Sequence, residues 1–325
     1  MNYDRIFSIS SCAEFEKISL EVFKHQYYNI PVYRKFCDLL KISPEAVTQL
    51  TEIPFLPIEF FKTHSIIAEG VKQQITFTSS GTTGTVTSKH LVSDLSWYEK
   101  SFNLAFERFY GKVKDLIILA LLPSYLDREG SSLVYMVHHL IEKSDQPESG
   151  FYLDDLEKLK VILEALENRG KRVLLIGVSF ALLDLVETHS FNLKHTIIME
   201  TGGMKGRRRE MIREELHHVL KKGFGVDHIH SEYGMTELLS QAYSPGEGIF
   251  TCPPWMKILI RDPEDALTYL PPNKTGGINV VDLANFNSCS FIATQDLGKN
   301  KGTGKTEILG RFDNSDIRGC NLMVI

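Results

Sequence analysis

At 325 residues the chain is long enough for about two domains' worth of core, or for one large α/β domain. Its composition, 43% hydrophobic and 24% charged, is ordinary for an enzyme-sized soluble protein, and a net charge of −5 with no basic block argues against nucleic acid as the main partner. Met1 to Ser11 lack the basic and apolar regions of a signal peptide, and no apolar run approaches the roughly eighteen residues of a membrane span, so a cytoplasmic protein with no transmembrane segment is expected. The five cysteines, Cys12, Cys37, Cys252, Cys289 and Cys320, are odd in number, widely spaced and without a C-x-x-C pair. That suggests neither a disulfide framework nor a zinc knuckle, and free thiols are expected.

Residues 1–72 read as a helical lead-in. Ala13 to Tyr28 places Phe15, Ile18, Val22 and Phe23 on one helical face. In Ile53-Pro54-Phe55-Leu56-Pro57-Ile58-Glu59-Phe60-Phe61-Lys62 two prolines forbid a long regular element while the aromatic and aliphatic residues demand burial. An irregular plug against the main body is expected, or a wall of an apolar pocket.

Residues 73–249 read as an α/β core. A β-compatible run, Gln74 to Phe77, leads into Thr78-Ser79-Ser80-Gly81-Thr82-Thr83-Gly84, with Lys89 beyond. Small, hydroxylated and glycine residues can wrap backbone N–H groups around an oligophosphate, though the same composition suits a flexible linker. Leu95, Tyr98, Phe102, Ala105, Phe106 and Phe109 then recur at helical spacing. Leu116 to Leu122 is a continuous apolar run of the kind buried on both faces of a parallel sheet. Helices are expected over about 131–142 and 154–168, a strand over 172–178, a helix, a strand over 196–199, a helix over 207–220 with Met211, Ile212, Leu216 and Val219 facing one way, and a strand over 226–230. Such alternation means βαβ crossovers and a largely parallel sheet, with function in loops at the C-terminal ends of the strands. Residues 250–325 change to short strands near 256–260, 277–281, 289–293 and 307–309, expected to form a smaller β-rich subdomain.

Three further loops join the first. Thr201-Gly202-Gly203-Met204-Lys205-Gly206-Arg207 follows a strand and opens a helix, combining close backbone approach, a helix N-terminus and a cation. In Ser231-Glu232-Tyr233-Gly234-Met235-Thr236-Glu237, Tyr233 can stack on a planar base, Gly234 permits a turn, Thr236 offers a hydroxyl and Glu237 a hard oxygen for Mg²⁺. Thr294-Gln295-Asp296-Leu297-Gly298 places a carboxylate where ribose hydroxyls could bond, and Leu309-Gly310-Arg311-Phe312-Asp313 adds a guanidinium.

In order and content these motifs resemble the acyl-adenylate-forming superfamily: its phosphate loop at Thr78 to Gly84, its base-and-magnesium motif at Tyr233-Gly234-Met235-Thr236-Glu237, its ribose aspartate at Asp296 and its hinge at Gly310-Arg311-Phe312-Asp313. More narrowly, Pro54-Phe55-Leu56-Pro57 with Phe60-Phe61-Lys62, Leu122-Pro123-Ser124-Tyr125-Leu126, Thr201 to Gly206 and Ile317-Arg318-Gly319-Cys320-Asn321-Leu322 are similar to the acyl-protein synthetase (long-chain-fatty-acid–luciferin-component ligase) family. The linker Gly84-Thr85-Val86-Thr87-Ser88-Lys89 is longer than the superfamily's and lacks its proline, and the chain stops twelve residues beyond Asp313, so the mobile C-terminal domain of most relatives is expected to be absent.

The resemblance implies ATP-dependent activation of a carboxylic acid, a fatty acid first, followed by transfer to a thiol acceptor such as an acyl-reductase, an acyl carrier protein or coenzyme A. It implies a large-domain acyl-adenylating fold with ATP and Mg²⁺ as cofactors. The nucleotide would be held by Thr78, Ser79, Ser80, Gly81, Thr82, Thr83, Gly84, Lys89, Gly202, Gly203, Ser231, Glu232, Tyr233, Gly234, Met235, Thr236, Asp296 and Arg311, with the metal at Glu237. Thr236, Lys205 and Arg311 would act on the phosphates and Cys320 would receive the acyl group, its neighbour Arg318 favouring the thiolate. The rival readings are an aryl-acid ligase using coenzyme A and a non-catalytic nucleotide-binding module. Gly302 to Thr306 resembles the tail of a Walker loop but is followed by a strand pattern, and His217, His218, His228 and His230 read as packing or surface histidines before a metal site.

Overall fold

The computed structural model describes residues 3–80, 86–123, 130–202 and 211–312. Two compact units divide the chain: residues 1–72 with 254–325, and residues 73–253.

The first helix, α1 (Cys12–Asn29), starts where the Ser11 side chain accepts the Glu14 amide, and it buries Phe15, Ile18, Val22 and Phe23 as its periodicity requires. A second, α2 (Pro31–Leu39), follows at once with proline in its first turn, where a missing N–H costs nothing. The Phe/Pro stretch departs from the expected irregular plug. Leu56–Pro57 (β1) runs parallel to a later strand, in register with Ile292 and Ala293, before one helical turn, α3 (Phe60–Thr63). Two residues at a sheet edge are as much strand as the prolines permit, since Pro57 has no amide to donate.

In the second unit, β2 (Ile75–Thr78) and β3 (Lys89–Val92) form an antiparallel hairpin with Thr78 opposite Lys89. There follow α4 (Leu95–Tyr110), β4 (Ile117–Leu121), α5 (Ser132–Ser144), β5 (Gly150–Phe151), α6 (Leu156–Asn168), β6 (Val173–Val178), α7 (Ser179–Thr188), β7 (Thr196–Thr201), α8 (Arg213–Phe224), β8 (His230–Tyr233), β9 (Ala242–Ser244) and β10 (Ile249–Thr251). The strands lie in the order β10-β9-β8-β7-β6-β4-β5, parallel from β8 to β5 and antiparallel at β9 and β10. Ile117, Leu119, Leu121, Val173, Leu175 and Ile198 turn to one face, where they pack with Leu159 and Leu163 of α6, Leu182 and Leu185 of α7 and Leu216, Leu220 and Phe224 of α8. Elsewhere Tyr98 of α4 meets Phe77 and Tyr135 through ring contacts, with Phe102 edge-on to Tyr98.

Two boundaries differ from the sequence reading. Helix α8 buries Leu216, His217, Leu220 and Phe224, while Ile212, expected on its inner face, is exposed. The following strand begins at His230, not Val226. Gly225 adopts a left-handed conformation, and both Gly225 and Val226 donate their amides to Lys221 O, so Val226 closes the helix end and cannot open a strand.

The chain then returns to the first unit through β11 (Met256–Arg261), β12 (Thr275–Asp282), β13 (Phe291–Asn300) and β14 (Lys305–Arg311), an antiparallel meander in that order with β1 also on β13. Phe291 stacks on Tyr33 and meets Phe23 and Phe55 edge-on, joining the first helices to the last strands. Gln26 is fully buried; its Nε2 donates to Asn285 O, Phe286 O and Ser290 Oγ and its Oε1 accepts the Ser290 amide. Among the described residues no helix is long and apolar enough to cross a membrane.

Candidate functional site

The expected phosphate loop springs from the β2–β3 hairpin. Ser79 donates its amide to Ser88 O, and Ser88 donates its amide to Ser79 Oγ, so the loop is pinched shut at its base. Thr78 donates its amide to Gly130 O at 2.7 Å. A Cβ on Gly130 would sit 3.1 Å from Thr78 Oγ1 on a φ of +82°, which makes glycine the fitting residue there. Lys89 is exposed and lies on the hairpin face opposite His90. Residues 81–85, carrying the expected Gly81, Thr82, Thr83 and Gly84, lie outside the described residues, as do Tyr125, Gly203, Lys205 and Cys320.

His90 itself is fully buried, and its Nδ1 lies 2.8 Å from Thr236 O. One hydrogen bond therefore fastens the hairpin under the phosphate loop to the loop that carries Tyr233 to Glu237. Alternation in Lys89-His90-Leu91-Val92 marks His90 as inward-facing, but no local spacing reveals its partner 146 residues on.

Ser231, Glu232 and Tyr233 belong to strand β8, not to the loop after it, and the turn begins at Gly234. Ser231 and Glu232 are buried, leaving Tyr233, Gly234, Met235 and Thr236 partly accessible; Glu237 is buried again. A Cβ on Gly234 would run into Glu232 Oε1, so the backbone lies flat over that carboxyl. The Thr201 hydroxyl donates to the other carboxyl oxygen of Glu232, matching the Thr201–Glu232 register pair. Burial pushes the Glu232 carboxyl up to about 7, opposed by the Thr201 hydrogen bond and reinforced by the nearby Glu200 charge. Gly202, next in chain, has φ +70° and open space where a side chain would stand.

Glu200, Arg213 and His217 did not stand out in the sequence as site residues. Glu200, on the opposite face of β7 from Thr201, is buried, with Arg213 Nε at 3.4 Å and His217 Nε2 at 3.6 Å from one carboxylate oxygen. Burial alone would raise the Glu200 carboxyl, but His217 and the Arg213 charge outweigh it and hold it below the usual range. Ser179, at the start of α7, donates to Gly202 O at 3.0 Å and approaches Glu200 Oε2 at 3.4 Å. Both ends of the 202–212 connection are thus held to Glu200. The expectation of packing histidines fits His230, whose ring lies 5.7 Å from Tyr110; among the described residues no group of three or more His, Cys, Asp or Glu forms a metal cage.

In the other unit Asp296 and Arg311 face each other across β13 and β14, with Arg311 Nε 3.5 Å from Asp296 Oδ1. Both sit within strands, not in the loops expected for them. Arg311 is largely exposed, and the Phe312 amide donates to Gln295 O. Gly302, Thr303 and Gly304, all at positive φ, make the turn between these strands, which accounts for the Walker-like residues as a hairpin.

A family model described as "Acyl-protein synthetase, LuxE" matches residues 10–123. The resemblance is to the acyl-protein synthetases. The long-chain-fatty-acid–luciferin-component ligase of Photorhabdus luminescens is 31% identical over 70 residues, 21% of this chain and 60% of that protein. ATP-bound MatB from Rhodopseudomonas palustris superposes with a TM-score of 0.56 and 21% identity over 75% of this chain and 49% of its own. A 2-hydroxyisobutyryl-CoA ligase in the postadenylation state does so with a TM-score of 0.67 and 12% identity, over 95% and 70%. The chain thus spans less than two thirds of the Photorhabdus protein and about half of MatB. Its fold is the mixed α/β fold of these ligases.

Proposed function

We propose that the protein activates a carboxylic acid, a fatty acid first, with ATP and passes the acyl group to a protein thiol. The observation that carries this reading is the His90–Thr236 bond, which seats the base of the Ser/Thr/Gly loop against the Tyr233–Glu237 segment within one unit. A carboxylate oxygen attacks the α-phosphorus, the bond to the bridging oxygen breaks, pyrophosphate departs and acyl-AMP remains; thiolate attack on its carbonyl carbon then expels AMP. Positioning and charge neutralisation do most of this work.

We assign the departing phosphates to Thr78, Ser79, Ser80 and residues 81–84, the α-phosphate to Thr236, and the base to Tyr233. Asp296 is assigned the ribose hydroxyls and Arg311 a phosphate. Lys205 and Arg311 are the candidates for the role that the superfamily gives to a catalytic lysine of its C-terminal domain, and Lys89, beyond the longer loop, is a further candidate phosphate contact. Mg²⁺ asks one or two carboxylates of a protein when phosphates supply its other ligands, and Glu237 fits that demand without a preformed cage. When bound, the ion would offset the charge of the departing phosphates.

Acid-dependent exchange of pyrophosphate into ATP, measured over a panel of acids, tests the first step; no exchange with any acid would leave only a binding module. Along an alkyl series each buried methylene is worth about 0.8 kcal/mol, so four more should tighten binding by roughly 3 kcal/mol; affinity flat with chain length would favour an aryl acid. For the second step, Cys320→Ser should abolish covalent labelling by radioactive acid plus ATP while exchange persists. Release of acyl-coenzyme A by the Ser variant at the native rate would instead assign the acceptor to the coenzyme.

A further inference from the structure

We propose that Arg213 is a positioning residue that holds the Tyr233 ring in place and so sets the affinity for the nucleotide base stacked on it; this rests on the reading of Tyr233 as the base-stacking side chain. Arg213 opens helix α8, the end at which a cation meets the unfavourable pole of the helix dipole. Something must hold it there. Glu200 supplies the counter-charge at 3.4 Å, with His217, one turn along the same helix, at 3.6 Å from the same oxygen. The guanidinium carbon lies 5.1 Å from the centre of the Phe250 ring. Phe250, 1% exposed, meets the Tyr233 ring edge-on, with centroids 6.1 Å apart and planes at 68°.

The slot is shaped for this side chain. Gly248 has φ +65°, and a Cβ there would stand 2.9 Å from Arg213 Cδ, so the backbone lies flat along the arginine stem. A row of contacts therefore runs from the carboxylate at the end of β7, through one guanidinium and one buried ring, to the partly accessible Tyr233. The Ser179 hydroxyl, which donates to Gly202 O, lies 3.4 Å from the same carboxylate. A ring already held in place loses less freedom when a base stacks on it, so the complex forms at lower cost.

Lysine would keep the charge opposite Glu200 but lose the planar face over Phe250. The experiment is equilibrium binding of ATP and of GTP to the full chain, wild type and Arg213→Lys, by titration calorimetry with Mg²⁺ present and no acid. The variant should lose roughly tenfold in ATP affinity, a change in the range of a partly desolvated cation–π contact, and GTP should weaken by a similar factor wherever it binds, since either purine stacks. In exchange assays at saturating ATP, kcat should fall less than twofold to threefold while KM for ATP rises by the same roughly tenfold factor. Phe250→Leu keeps the apolar volume and removes the ring, so it should weaken ATP binding in the same way should Arg213→Lys fold poorly. Unchanged ATP affinity in both variants, with exchange intact, overturns the role of Arg213 and leaves the proposed function standing. A wild type that binds neither nucleotide overturns both.

Discussion

Replacing Glu232 by Gln isolates the energetic consequence of burying a carboxyl between two loops. The group binds its proton at about 7 in the folded chain, against 4.5 for an unperturbed glutamate. Burial is the leading cause, and Thr201 only partly offsets it. At about 1.4 kcal/mol per tenfold change in proton affinity, the difference corresponds to about 3 kcal/mol. Below the unfolded value both states hold the proton and the stability it contributes is fully present. As pH rises from there the unfolded chain releases its proton first, so stability falls, and the loss is complete once pH has passed the folded value. Glutamine keeps the shape and has nothing to titrate. The variant should match wild type at about pH 4 and exceed it by up to about 3 kcal/mol above neutrality. Urea denaturation in a Trp255→Phe background, where Trp97 reports on the unit that holds Glu232, measures this at both pH values. Histidines also titrate in this window, so the quantity that decides is the wild-type-minus-variant difference. If that difference is constant from about pH 5 to 8, the carboxyl is not held neutral by its surroundings.

Other consequences are equally concrete. Gly234→Ala drives a methyl into the Glu232 carboxyl, and overpacking of this kind costs about 1–3 kcal/mol. ATP affinity should fall accordingly, and calorimetric binding equal to wild type would refute the flat approach. Gly223→Ala sets a helix-propensity gain of about 1 kcal/mol against a collision with Val186 on α7, where the methyl meets a branched carbon near the backbone and not a flexible tip. The clash should win, lowering the urea midpoint, and Val186→Ala should restore only part of it in the double variant, because the Val186 Cβ that the methyl strikes first remains. Asp296→Asn should narrow the difference in KM between ATP and 2′-deoxy-ATP to less than about threefold if this carboxylate holds the ribose hydroxyls; an unchanged difference would remove it from that role.

What could be read from the sequence was what period and composition encode locally. Phe15, Ile18, Val22 and Phe23 reveal α1, and the unbroken apolar runs around Ile118 and Leu175 reveal strands covered on both faces. Val226 to His230 alternates like a strand, yet its first residue is consumed by the helix cap at Gly225, a competition between two hydrogen-bond patterns that period alone does not register. Leu56–Pro57 is too short and too proline-rich to signal a strand; only the neighbouring Ile292 and Ala293 make it one. Tyr233 to Glu237 stands out as a candidate because turn, hydroxyl and carboxylate are contiguous. The side chains that brace them, His90, Glu200, Arg213 and Phe250, come from four separate elements, and nothing in the spacing of each announces the others.

The split origin of the unit formed by 1–72 and 254–325 bears on how the molecule is made. Gln26 and Tyr33 emerge early, but Ser290 and Phe291, which satisfy and cover them, follow roughly 260 residues later. At ribosomal speeds of roughly 5–20 residues per second, that interval lasts about 13 to 52 seconds. During that interval the opening helices have no strands to shelter them while the contiguous middle unit can already close, so nascent chains stalled before residue 290 should be the ones that recruit chaperones.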